Sequence, residues 1–140
     1  MKILFAADGS KYTKKALAFL VNHEGLAGSD DELFVLNVQL AVPPRVKSML
    51  GAGAVTDCHR EDAEKVLAPI RKFLDRHALR YRVGWVVGSP ATEIVKASKR
   101  EQAHLIVMGT HGRGFLGRAA MGSAAQRVVA ESDVPVLLVK

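Results

Sequence analysis

The segment GTHGRGFLGRAAMGS, residues 109–123, concentrates this chain's capacity to hold an anion. Its five glycines, at 109, 112, 114, 117 and 122, allow backbone to approach a ligand closely. Ser123 follows at the expected start of a helix, where unpaired N–H groups and the helix dipole attract phosphate. Three phosphate-binding spacings run through the same residues. Gly112, Gly114 and Gly117 give the G-x-G-x-x-G of dinucleotide enzymes, and Gly117, Gly122 and Ser123 give most of a P-loop. Gly109, Gly112, Gly122 and Ser123 give a third spacing, G-x2-G-x9-G-S.

The surrounding residues choose among them. A dinucleotide site needs an acidic residue at the end of the next strand to hold the ribose, but that strand is VPVLLVK and Asp133 stands at its start. A P-loop needs a lysine between its last glycine and its serine, and none is present. The third spacing needs only two glycine clusters and a helix N-terminus, with nine residues arching between them. An anion bound between Gly109–Gly112 and Gly122–Ser123 is therefore the expectation.

Other side chains offer little chemistry. His111 lies within the glycine segment, and Cys58 and His59 are adjacent at the start of an expected helix, without a defined catalytic partner. The histidines at 23, 59, 77, 104 and 111 show no structural zinc spacing. No catalytic residue and no metal ligand is expected.

Composition bounds the rest. At 140 residues, with 49% hydrophobic and 24% charged residues, the expectation is one globular domain over residues 1–140. A single cysteine suits a reducing compartment, and no apolar run has signal-peptide or membrane-span length, so a cytoplasmic protein away from membranes is expected. The net charge of +6 suits a small anionic ligand. Its densest part, Arg71, Lys72, Arg76, Arg80 and Arg82, lacks an aromatic or zinc motif and is read as a solvated face without nucleic acid.

Strand and helix signals alternate along the chain. KILFAAD is a short apolar run of the kind covered on both faces, and Ser10 caps a helix through about His23. ELFVLNV is a second buried strand. Pro43, Pro44, Gly51 and Gly53 make residues 40–56 a long connection with room for one helical turn. A helix is expected from Asp57 to about Ala78, kinked near Pro69. YRVGWVVG alternates like an edge strand, Ser89 and Pro90 open a helix, and HLIVMG is a strand leading into the glycine segment. Ser123 and Gln126 form an S-x-x-Q capping box, and VPVLLV is the last strand. The alternation predicts an α/β fold: one doubly wound, Rossmann-like parallel sheet with helices on both faces. Ligands then bind beyond the carboxyl ends of the strands, where Asp8 and Gly109 lie.

With these motifs in view, the chain resembles the universal stress protein family. GTHGRGFLGRAAMGSAAQRVVAESDVPVLLV is similar to the family's carboxyl-terminal signature, ILFAADGS to its first strand and aspartate, and VVGSPATEIVKAS to its G-x-P segment. The departures are Pro69 and the Pro-Pro and Gly-rich connection at 43–53. The resemblance implies a five-stranded sheet in the order 3-2-1-4-5 and a bound ATP, with or without Mg, or ADP or AMP in its place. Ala7 and Asp8 would then meet the adenosine, the Val38 backbone adenine, and Met108 and Gly109 the ribose. Gly112, Arg113, Gly122, Ser123 and Ala124 would surround the triphosphate. The implied function is a nucleotide-dependent regulatory module of the stress response. The alternatives are a weak ATPase or phosphotransferase, or a nucleotide-free dimeric partner-binding protein. The sheet also resembles that of adenine-nucleotide pyrophosphatases, but ADGSKY replaces their S-G-G-x-D-S loop, so any hydrolysis is expected to be slow. In the order 3-2-1-4-5 the apolar strand Val134 to Val139 is an open edge, which predicts a homodimer through that strand.

Overall fold

A computed structural model of the chain describes residues 1–23, 25–112 and 121–140. The elements follow in the order β1 Lys2–Ala6, α1 Lys11–Asn22, β2 Glu32–Gln39, α2 Pro44–Leu50 and α3 Ala52–Leu74. After them come β3 Arg80–Val87, α4 Pro90–Arg100, β4 Leu105–Gly109, α5 Ser123–Glu131 and β5 Val136–Val139. The five strands form one parallel sheet in the order β3-β2-β1-β4-β5. Parallel pairing requires crossovers, and the helices supply them. β3 lies at one edge, as its alternation predicted, and β5 at the other.

Alternation along the central strands divides the core into two layers. Ile3, Phe5 and Val35 pack against Leu17 and Leu20 of α1 and against Val66, Leu67 and Leu74 of α3. Leu4, Phe34 and Leu36 pack on the other face against Ile94 and Ala97 of α4 and Val128 of α5. Both faces are covered, which explains why β1 and β2 read as nearly continuous apolar runs. The one fully polar interruption is Asn37 in β2, which is 2% exposed.

The order of strand addition reverses between β1 and β4: β2 and β3 lie on one side of β1, β4 and β5 on the other. The loops after β1 and β4 therefore part and leave a crevice at their carboxyl ends. Ser10 caps α1 as expected, its side chain accepting from the Thr13 N–H at 3.3 Å.

Several local expectations change. The 40–56 connection is largely helical: α2 spans seven residues, and α3 begins at Ala52 rather than near Asp57. Gly51, at φ +85°, separates them, a conformation that costs glycine little. The next helix begins after Ser89, but that hydroxyl caps nothing; it accepts from Arg127 of α5 at 3.3 Å. The N-cap of α5 is Gly122, one residue before the expected Ser123, so no S-x-x-Q box forms. The Gln126 side chain donates instead to the Met121 carbonyl at 2.6 Å.

Part of the basic face is neutralised within the fold. Arg71 forms a two-pronged pair with Glu64 at 2.7 and 2.9 Å, whose hydrogen bonds hold the Glu64 carboxyl below its usual range. Arg82 pairs with Glu101 and lies over the Phe34 ring. No helix among the described residues is long and apolar enough to cross a membrane.

Candidate functional site

The site begins at the end of β1. The Asp8 N–H donates to Thr13 Oγ1 at 3.0 Å, and Asp8 Oδ1 accepts from the Ser10 N–H at 2.9 Å and the Thr13 hydroxyl at 2.7 Å. Gly9, at φ +81°, makes this reversal possible just before α1. The carboxylate is thereby fixed against the first turn of α1, with Oδ2 toward the loop after β4. A Cβ on Gly112 would lie 2.7 Å from that oxygen. Gly112 is thus bare because Asp8 occupies the space of its side chain.

Gly109 and Gly122 have similar reasons. A Cβ on Gly109 would stand 2.5 Å from Tyr12 Cβ, so only glycine lets α1 settle on the end of β4. A Cβ on Gly122 would lie 3.3 Å from the Thr110 carbonyl oxygen and 3.4 Å from His111 Cα. The Gly122 N–H donates to that same carbonyl at 2.7 Å, which ties the α5 N-terminus to the turn at Thr110–Gly112. The first intrahelical bond of α5 runs from the Gln126 N–H to the Gly122 carbonyl at 3.0 Å. The N–H groups of Ser123, Ala124 and Ala125 therefore precede the helical ladder and need another acceptor. His111 is held by Thr110 Oγ1 at 2.9 Å and lies 4.9 Å from the Tyr12 ring, centroid to centroid.

Between these parts lies a cavity of about 760 Å³ at the point where the sheet reverses. Ala7, Asp8, Val38, Met108, Gly109, Gly112, Gly122, Ser123 and Ala124 all line it. The tenth residue expected there, Arg113, lies outside the described residues. The floor is set by a buried amide: Asn37 Nδ2 donates to the Ala7 carbonyl at 2.8 Å, and Asn37 Oδ1 accepts from Gln39 Nε2 at 2.6 Å. The first turns of α3 form a roof, since α3 runs antiparallel to the strands and brings His59, Asp62 and Val66 to the cavity. Arg127 lines it at the junction of α4 and α5, held by Ser89 Oγ at 3.3 Å and Thr92 Oγ1 at 3.2 Å.

A model of the universal stress protein family matches residues 1–140. The chain belongs to the universal stress protein family. A universal stress protein of Thermus aquaticus is 36% identical over 138 residues, covering 99% of this chain and 97% of its own. Among solved structures, the hypothetical protein MJ0577 of Methanocaldococcus jannaschii superposes with a TM-score of 0.84 at 29% identity, covering 99% of this chain and 94% of its own. The universal stress protein of Archaeoglobus fulgidus in complex with dAMP gives a TM-score of 0.68 at 22% identity, covering 100% and 98%. At that identity the likeness concerns the fold alone.

Asn37, His59, Asp62 and Arg127 of this universal stress protein went unread in the sequence as cavity residues. Asn37 did carry a signal, a single amide inside an apolar strand. Asp62 and Arg127 had none, because any surface helix carries charges at that spacing. His59 was masked by the expectation that its helix starts only two residues earlier. Among the described residues, no three His, Cys, Asp or Glu side chains cluster to hold a metal.

Proposed function

We propose that this universal stress protein binds ATP in the cavity at the carboxyl edge of its sheet and acts as a nucleotide-dependent regulatory module of the stress response. One observation carries the reading. Every described residue of the implied nucleotide set, from Ala7 to Ala124, lines one cavity of a size suited to a small molecule. Phosphates belong at the α5 end, where the N–H groups of Ser123, Ala124 and Ala125 meet the positive end of the helix dipole. Asp8 and Gly109 border the ribose, and the Val38 backbone takes adenine. A protein of the same fold, from Archaeoglobus fulgidus, is solved in complex with dAMP. A Mg ion accompanying ATP would be carried mainly by the phosphates.

Calorimetric titration with ATP and NAD tests this. ATP should bind with one site per chain, and NAD should bind poorly. A dinucleotide site needs an acid at the carboxyl end of β5, whereas Asp133 stands before β5 at the far end of the sheet and pairs with Lys99 at 3.3 Å. NAD binding as tight as ATP binding would restore a dinucleotide site. No heat with either ligand would remove the nucleotide from this cavity.

A further inference from the structure

We propose that His59, on the inner face of α3, contacts the base of the bound nucleotide and, together with Asp62, favours adenine over guanine. This rests on the nucleotide reading above and names the part of the site that decides which nucleotide enters. His59 is only 7% exposed, yet neither ring nitrogen has a hydrogen-bond partner among the described residues. Among those residues no side-chain nitrogen or oxygen is sealed from space without a partner. The imidazole nitrogens therefore keep some accessible surface, and His59 lines the cavity. A neutral imidazole offers one donor and one acceptor, so a ligand in the cavity can take the place of water on either nitrogen.

Strand order fixes which part of the ligand arrives. α3 covers β2 and β3, whereas α5 packs on the β4–β5 side of the sheet. β2 and β4 are two strand spacings apart, about 10 Å. Phosphates seated on the α5 N–H groups put the base under α3. Asp62 lines the same roof nearly one turn after His59, and its carboxylate can only accept hydrogen bonds when ionised. That polarity suits the amino group at position 6 of adenine and opposes the carbonyl oxygen at position 6 of guanine. The Cys58 beside His59 is exposed and takes no part.

The test titrates ATP, ADP, AMP and GTP into the wild type, His59→Phe and His59→Gln, with the melting temperature of each. Phenylalanine keeps the ring and its bulk but has no nitrogen. ATP affinity should fall about tenfold in His59→Phe, the worth of one hydrogen bond to a ligand. ADP and AMP should lose the same factor, the ATP-to-GTP preference should narrow, and His59→Gln should recover part of both. Unchanged ATP affinity and unchanged preference in either folded variant would overturn the proposal. A loss confined to ATP would place the imidazole at the phosphates and overturn it equally. If the wild type binds none of the four nucleotides, the nucleotide reading itself fails. If His59→Phe does not fold, His59→Gln decides between the same outcomes.

Discussion

Asp8 and Gly112 meet across the crevice, and their contact alters what the glycines of the 109–123 segment mean. Gly109 and Gly112 are bare because Tyr12 and Asp8 fill their side-chain space, while Gly122 lies close against the Thr110–His111 backbone. These glycines draw the ends of β1, β4 and α5 together, and the N–H groups of Ser123, Ala124 and Ala125 precede the helical ladder of α5. The spacing of the motif was legible because all its parts lie within fifteen consecutive residues. The reason for Gly109 and Gly112 was not, since Tyr12 and Asp8 lie far away in the chain. A substitution at Ser123 separates helix stability from binding. In Ser123→Asp the carboxylate sits in the first turn of α5, where it should stabilise the helix by about 0.5 kcal/mol. The same charge repels phosphate, so ATP affinity should fall at least tenfold while the melting temperature holds or rises. Ser123→Ala should move stability by only a few tenths of a kcal/mol, because Gly122, not Ser123, is the cap. Thermal melts and titrations of both variants check this; ATP affinity unchanged in Ser123→Asp would separate the phosphates from this helix.

α3 is the element that sequence patterning placed least well, and it brings His59, Asp62 and Val66 to the cavity. Its apolar period is clear from Ala63 to Leu74, but Gly53 and the Thr56-Asp57 pair disguise its first turns as a loop. Packing of Val55 and His59, both under 9% exposed, fixes those turns as helix. The strands were legible because β1, β2 and β4 carry apolar runs bounded by polar turns. Pro69 stands inside α3 on its exposed side, where it can contribute no backbone donor. Pro69→Ala should restore a bond to the carbonyl four residues earlier and remove a steric conflict, together worth about 3 kcal/mol. Greater freedom of the unfolded chain offsets roughly 1 kcal/mol of that. A net gain of about 2 kcal/mol is expected in chemical denaturation, with ATP affinity unchanged, because Pro69 does not line the cavity. A loss of stability would mean that the proline shapes the helix against β2.

At the scale of the molecule, β5 is an edge strand of the sheet. The Pro135 and Val139 carbonyls accept from the Ile106 and Thr110 N–H groups of the β4 side, each at 3.0 Å. By alternation Leu137 also faces β4, whereas Val136 and Leu138 direct their N–H and C=O groups outward. A homodimer formed by antiparallel pairing of two β5 strands would use the outward set. Val136→Pro removes one outward donor and should leave the fold intact while weakening the dimer. Leu137→Pro should instead destabilise the protomer. Light scattering at micromolar concentration reports both, and a wild-type monomer would contradict pairing through this edge. The central claim, however, is that the cavity between β1 and β4 exists to hold an adenine nucleotide. Native mass spectrometry of the protein supplemented with ATP tests it most directly. The expected result is a mass increment of one ATP per chain, lost in Ser123→Asp. A chain that stays bare in millimolar ATP, or binds it equally well in Ser123→Asp, would contradict the account.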